Sequence, residues 1–131
     1  MKLLDSLFSI SQRRCEDSGD IVYDVSLDPE HFIYKAHFPG EPITPGVCIM
    51  QMVMELLEDA SGERLELDTA KNIKFLQVIQ PQQTPRLNCT ITRILKENDM
   101  VSARARLSDG DAVFAGLSLI CRKLCNNSAT A

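Results

Sequence analysis

Apolar and polar residues alternate along the chain after Asp20, and the apolar positions are Ile21, Tyr23, Val25 and Leu27. A period of two predicts a half-buried β-strand. After the turn at Asp28-Pro29, residues 32–36 form a second short apolar run, which we interpret as another strand. Residues 2–10 place apolar side chains at roughly helical spacing, which predicts either a short amphipathic helix or an extended lead-in to the polar stretch at 12–20.

The longest apolar segment predicts a helix over residues 45–60. Thr44 is suited to capping the free amides of the first turn, and Pro45 is suited to the first helical position. Apolar residues cover most of the helical circumference, so the helix is expected to be buried; they are Val47, Ile49, Met50, Met52, Val53, Met54, Leu56 and Leu57. At about 100° per residue, Gln51, Glu55 and Glu58 form one narrow polar stripe.

The second half of the chain has the pattern of an antiparallel meander. Short apolar or alternating runs predict four strands, at 70–79, 86–95, 101–107 and 113–121. Asp109-Gly110 is a typical hairpin turn between the last two. One buried helix with strands before and after it indicates an α+β fold, and the length predicts a single domain over 1–131.

The balance of charge argues against nucleic acid as the main partner. The chain has 14 Lys and Arg against 18 Asp and Glu, for a formal net charge of −4. Five arginines nevertheless fall in the second half, at Arg86, Arg93, Arg104, Arg106 and Arg122. A sheet can gather such residues into one patch, or they can be scattered charges in contact with solvent.

The five cysteines are an odd number and lack the spacing of a metal site, so we expect free thiols and a cytoplasmic location. Residues 1–10 do not have the features of a signal peptide. No apolar run approaches the ~20 residues needed to cross a bilayer, which predicts no membrane role.

The most specific pattern is the segment 37–47, His-Phe-Pro-Gly-Glu-Pro-Ile-Thr-Pro-Gly-Val. It resembles the HFPG-x-P-x-x-PGV signature of the hotdog-fold 3-hydroxyacyl-[acyl-carrier-protein] dehydratases, with nine positions matching if Ile43 is included as the usual aliphatic residue. Weaker similarity extends through residues 70–76 and the last strand. The resemblance implies a hotdog fold, in which a curved antiparallel sheet wraps around one central helix.

Dehydration of a 3-hydroxyacyl thioester needs a base for the α-proton, an acid for the departing hydroxyl and donors for the thioester oxygen. His37 is the candidate base, since an imidazole titrates near pH 6.5 and a proline-rich loop restricts its movement. A role in holding the loop together is the structural alternative. The amides of Gly46 and Val47 at the helix start are the candidate thioester-binding donors. The resembling family assigns these roles to the matching His and Gly.

The chain departs from the family at the position where a Glu or Asp is expected on the central helix, because that position is Gln51. Glu55 lies one turn further along, about 6 Å at ~1.5 Å per residue. Three hypotheses follow. Gln51 orients the hydroxyl while His37 moves both protons, or Glu55 replaces the missing acid, or dehydration is lost and the pocket binds or hydrolyses acyl thioesters.

Four side chains are candidates for the acyl channel: Phe38, Met50, Met54 and Phe75. The methionines are also suited to filling the core. Cys48 lies near the presumed amide donors, where a thiol could be acidified, but core packing is the better interpretation.

The resemblance further implies a two-fold dimer, or a larger assembly of dimers, with His37 facing Gln51 or Glu55 of the neighbour. The expected activity is conversion of a 3-hydroxyacyl thioester on an acyl carrier protein to the trans-2-enoyl thioester, without metal or cofactor. A non-catalytic acyl-thioester-binding subunit and an acyl thioesterase are the alternatives. Because a carrier protein is acidic, an arginine patch near the channel mouth would favour docking.

Overall fold

The computed structural model describes residues 2–36 and 40–124, which form six strands and two helices. The strands are β1 (Phe8–Cys15), β2 (Ile21–Leu27), β3 (Leu65–Phe75), β4 (Arg86–Glu97), β5 (Met100–Asp109) and β6 (Ala112–Lys123). The helices are α1 (Phe32–Ala36) and α2 (Gly46–Ser61).

All six strands form one antiparallel sheet in the order β1-β2-β4-β5-β6-β3. The β5–β6 hairpin turns at Asp109-Gly110 as predicted, with Gly110 at φ 61°, a value that glycine adopts without steric cost. β3 follows α2 in the chain but pairs with β6, so it lies at one edge of the sheet.

Helix α2 lies against one face of this sheet, and most of its side chains are buried in a single apolar core. Its buried residues include Met52, Leu56 and Leu57, each at most 1% exposed. Residues from both edge strands join the same core, as Phe8 on β1 and Leu65 on β3 show. The prediction of an α+β fold with one buried central helix is therefore confirmed.

Helix α2 begins one residue later than predicted, at Gly46, and Thr44 does not cap it. Pro45 is the N-cap residue, with φ −62° and ψ 147°, and no side chain of residues 2–36 or 40–124 makes a capping hydrogen bond to this helix start. The Thr44 hydroxyl instead lies 2.9 Å from the buried hydroxyl of Tyr34, while the Thr44 N–H donates to the Ile79 carbonyl. The prediction failed because a hydroxyl has several possible partners, and the tertiary fold selects among them.

The prediction of a strand at 32–36 was wrong, since these residues form the short helix α1. A ring nitrogen of His31 accepts a hydrogen bond from the Ile33 amide at 3.1 Å and so satisfies the helix start. A short apolar run does not by itself distinguish a strand from a buried helix.

The boundaries of two strands also differ from those predicted. β1 occupies much of the polar stretch at 12–20, because an edge strand needs backbone pairing with β2 and not a buried face. β3 begins five residues before the predicted start at Ala70 and ends at Phe75, whereas 76–79 lie outside any strand.

Candidate active site

The start of helix α2 presents backbone donors beside an aromatic ring. The amides of Cys48 and Ile49 both donate to the Pro45 carbonyl, at 3.0 and 3.1 Å. Within residues 2–36 and 40–124, the amides of Gly46 and Val47 have no backbone acceptor, as expected for the first turn of a helix. These amides are therefore positioned to donate to a ligand oxygen, and the helix dipole favours negative charge there.

Gly46 allows the ring of Phe75 to approach the helix closely. A Cβ atom placed on Gly46 would lie 3.1 Å from Phe75 Cζ and 3.2 Å from Cε2, which is tighter than ordinary van der Waals contact. Phe75 stands at the end of edge strand β3 and is 50% exposed. The structure thus brings together the candidate thioester-binding glycine and one candidate channel residue.

Glu55 is a buried carboxylate, 6% exposed, and its oxygens are occupied by donors of this chain. Its Oε2 accepts from the Leu3 amide at 2.7 Å and from Gln51 Nε2 at 2.8 Å, while Oε1 accepts from the Leu4 amide at 2.7 Å. Gln51 and Glu55 are therefore in direct contact along one face of α2.

Gln51 and Glu55 line a groove of about 520 Å³ at the surface. The N-terminal segment forms one wall through Lys2 and Leu4. Acidic side chains outnumber basic ones in this groove, four to two, and its remaining lining residues are Glu58, Asp59, Gly62, Glu63 and Arg64.

The other candidates from the sequence are in different surroundings. His37 and Phe38 lie outside the described residues. Met50 is half-buried on α2, whereas Met54 is 9% exposed and its sulfur lies 3.4 Å from Cys121 Sγ in the core. Burial raises the pKa of the Cys48 thiol, which is opposite to the acidification that a nucleophile would need.

The sheet gathers part of the predicted arginine cluster on its outer face, opposite α2. Arg104 and Arg106 alternate with buried residues of β5. Lys71 on β3 and Arg104 on β5 pair with the same residue of β6, which lies between these two strands. Lys74 and Arg106 likewise share one residue of β6 as their partner. No ion pair joins these four cations to a described carboxylate. We call Lys71, Lys74, Arg104 and Arg106 the basic face.

Sequence reasoning missed the contact between the N-terminal segment and α2. Leu3, Leu7 and Phe8 are at most 1% exposed, so the segment is part of the core. The apolar spacing of residues 2–10 signals a buried segment, but no periodicity identifies Glu55 as its hydrogen-bond partner. Tyr23 was assigned to a strand, and its hydroxyl also donates to the carboxylate of Asp59 on α2.

Two features of the described chain concern ligands and membranes. Residues 2–36 and 40–124 contain no cluster of three or more His, Cys, Asp or Glu side chains placed to hold a metal ion. Neither of the described helices has the length and apolar character needed to cross a membrane.

Comparison with known proteins shows similarity to dehydratases. The family model of the ApeI-like proteins, described as ApeI dehydratase, matches residues 12–116. The 3-hydroxyacyl-[acyl-carrier-protein] dehydratase FabZ of Lactiplantibacillus plantarum is 26% identical over 107 residues, covering 76% of this chain and 73% of the relative. FabZ of Chloroflexus aggregans is 29% identical over 91 residues, covering 64% and 63% of the two chains.

A solved chain of the dehydratase heterocomplex ApeI:P from Xenorhabdus doucetiae has the same fold. It superimposes with a TM-score of 0.67 over 87% of this chain and 96% of its own, at 19% sequence identity. The curved antiparallel sheet around one central helix is the hotdog fold, as predicted.

Proposed function

Because the chain belongs to the ApeI-like dehydratase family, we propose that it interconverts a 3-hydroxyacyl thioester and the corresponding trans-2-enoyl thioester. The observation that supports this most is the start of α2, where Gly46 lies beside the Phe75 ring and the Gly46 and Val47 amides belong to the first turn. Such amides stabilise negative charge on the thioester oxygen when the α-proton leaves. An apolar ring at the same point suits an acyl chain or its thioester linkage.

The proposal assigns proton transfer to His37. In dehydration its neutral imidazole removes the α-proton, the thioester oxygen gains negative charge, and the imidazolium returns a proton to the departing β-hydroxyl as water. Gln51 holds that hydroxyl but does not protonate it, because an amide is not a proton donor of this kind. Atoms balance with no further reactant, since the products are the enoyl thioester and water.

We propose an acyl carrier protein as the carrier of the substrate, as in the function that the FabZ relatives' name states. The basic face supports this, because its cations have no described carboxylate partner and an acidic carrier would supply one. On β3, Lys74 belongs to the basic face while its neighbour Phe75 lies against the helix start. The four described cysteines are free thiols, in keeping with a proposed cytoplasmic location.

Assembly with a second hotdog subunit is also part of the proposal. β3 is a sheet edge, and several large apolar side chains on it and just after it are exposed, namely Leu67, Ile73, Phe75, Leu76 and Val78. An unpaired edge with exposed apolar residues is suited to pairing with another strand. A homodimer, or a larger assembly of dimers, would cover this edge.

A second candidate is a subunit that binds the thioester but relies on a different partner for proton transfer. Gln51 in place of a carboxylate favours it, and the ApeI:P structure is by its title a dehydratase heterocomplex. In that case β3 would pair with a related but non-identical chain.

Incubation of the purified chain with 3-hydroxyacyl and trans-2-enoyl carrier-protein thioesters separates the candidates. Interconversion of the two, followed by mass spectrometry of the carrier, is the expected result. Release of free thiol would instead identify a thioesterase. Binding without conversion would identify the non-catalytic subunit and contradict the proposed activity.

A further inference from the structure

Three donors from two different elements meet at the Glu55 carboxylate. Two are consecutive backbone amides, Leu3 and Leu4, and the third is the side-chain nitrogen of Gln51. All three donor–acceptor distances are 2.7–2.8 Å, in the range of charge-assisted hydrogen bonds. Glu55 therefore connects the N-terminal segment to the helix face where the family places its acid.

The bond from Gln51 fixes which end of its amide faces Glu55. If the amide were flipped, the carbonyl oxygen Oε1 would face a carboxylate oxygen, and two acceptors would repel each other. With Nε2 held by Glu55 at 2.8 Å, Oε1 is turned away from the carboxylate.

The carboxylate is itself held in place by the N-terminal segment. Both of its oxygens accept from the backbone at Leu3 and Leu4, and the side chains of Leu3 and Leu7 are 1% and 0% exposed. If this segment undocked, the carboxylate would lose the two backbone donors and would keep only the bond from Gln51 out of these three. The orientation of the Gln51 amide thus depends on residues 3–8 remaining packed.

From this geometry we infer that Glu55 is a positioning residue, which orients the Gln51 amide so that Oε1 is its group for a substrate hydroxyl. The inference rests on the proposed function and deepens it. Gln51 accepts a hydrogen bond from the β-hydroxyl, selecting substrates with a donor at that carbon. Protonation of the leaving hydroxyl falls to another group.

The test compares Glu55→Gln with Glu63→Gln, a matched control that removes a charge from the same groove. Glu63 forms an ion pair with Lys123 at 3.8 Å and lines the same groove as Gln51. In ¹⁵N-edited NMR spectra we expect Glu55→Gln to shift the Gln51 side-chain NH₂ signals and to speed hydrogen exchange of the Leu3 and Leu4 amides about ten-fold or more. Glu63→Gln should leave these signals unchanged.

A folded Glu55→Gln protein with unchanged Gln51 and Leu3 signals would overturn the inference. Should that variant not fold, Glu55→Asp keeps the charge but shortens the reach by one methylene, and the same shifts are expected from it. These spectra need no turnover, so they separate this inference from the proposed activity. Inactive wild-type protein with the expected spectra would refute the activity alone.

In the active enzyme, Glu55→Gln is expected to lower kcat about ten-fold while KM changes little, because orientation and not binding is lost. In Gln51→Glu, a carboxyl would lie against Glu55, and repulsion between two adjacent carboxylates raises the pKa of one of them. The pH profile of that variant should gain a new ionisation, which the Gln51→Glu/Glu55→Gln double variant removes. An unchanged profile in Gln51→Glu would contradict the arrangement.

Discussion

At the scale of single residues, the residue types in the site could be predicted from the sequence but their partners could not. The motif 37–47 singles out Gly46, and its spacing from Gln51 identifies the departure on the helix. Nothing in the sequence shows that Glu55 accepts from Leu3, because that contact joins positions 52 residues apart. Long-range polar contacts depend on the packing of whole elements, and a local pattern does not specify them.

Gly46→Ala tests the close approach of Phe75 to the helix start. The added Cβ would meet the ring at 3.1 Å, so the half-exposed ring must move by a few tenths of an ångström. We expect unfolding free energy to change by less than about 1 kcal/mol, because Ala is a better helix former than Gly. Dehydration should fall at least about ten-fold, because the methyl group crowds the thioester oxygen.

The matched control is Gly116→Ala, where a new Cβ would have only an ordinary contact, 3.8 Å from the Ala105 carbonyl oxygen. It should retain wild-type activity toward a small thioester. Equal activity of Gly46→Ala and the wild type would show that Gly46 is needed for packing only. Steady-state kinetics of both variants measures the effect on activity, and urea denaturation measures the effect on unfolding free energy.

At the scale of elements, regular patterns were read correctly and short or edge elements were not. Strong alternation identified β2, and an apolar segment with one polar stripe identified α2 to within one residue at each end. Helix α1 has only five residues and depends on the His31 side chain, so no periodicity could reveal it. β1 is largely exposed, and its polar residues lack the alternation that predicts a strand, because backbone pairing with β2 maintains it.

Edge strand β3 supports a prediction about assembly. Ile73 is 40% exposed on this strand, and Ile73→Asp would place a charge where a second subunit is proposed to pair. We expect this variant to be monomeric in sedimentation velocity at concentrations where the wild type is a dimer. Leu95→Asp is the control, because Leu95 is 52% exposed on β4, where it pairs with β5 and lies away from edge strand β3.

If both variants kept the wild-type sedimentation coefficient, β3 would not be the subunit interface. If both dissociated, the effect would reflect general destabilisation. Only separate behaviour of the two variants supports pairing through β3.

At the scale of the whole molecule, the buried thiols predict how stability depends on pH. Burial raises the pKa of Cys89 from 9.0 to about 12 and that of Cys121 to about 11, and burial with the Asp59 hydrogen bond raises the pKa of Tyr23. The unfolded chain releases these protons first as pH rises above about 9. It then binds fewer protons than the folded chain, so unfolding free energy falls, by up to about 1.4 kcal/mol per pH unit for each group.

Urea denaturation at pH 8 and pH 10 measures this loss. Cys89→Ala should be less stable at both values because it leaves a small cavity, but its stability should fall less between them. Cys15→Ala, which alters an exposed thiol, should keep the wild-type difference. Equal stability of the wild type at the two pH values would contradict the prediction.

The basic face predicts how the whole molecule meets its partner. Arg104→Glu/Arg106→Glu should raise KM for a carrier-protein thioester by about ten-fold or more at low salt, since charge complementarity speeds association. A short pantetheine thioester lacks the acidic carrier, so its kinetics should not change. Arg14→Glu reverses a charge outside the basic face and is the control.

A double variant that binds the carrier thioester as tightly as the wild type would exclude this face as the docking surface. Equal losses in the double variant and in Arg14→Glu would point instead to a general effect of net charge.

The proposed activity moves a proton at C2 and adds or removes water at C3 of an acyl thioester. The most direct measurement is incubation with a trans-2-enoyl thioester in D₂O, followed by mass spectrometry and NMR of the acyl product. The product expected from the proposed activity is a 3-hydroxyacyl thioester with one deuterium bound at C2. Recovery of the unchanged enoyl thioester, or of free thiol and acid without hydration, would contradict it.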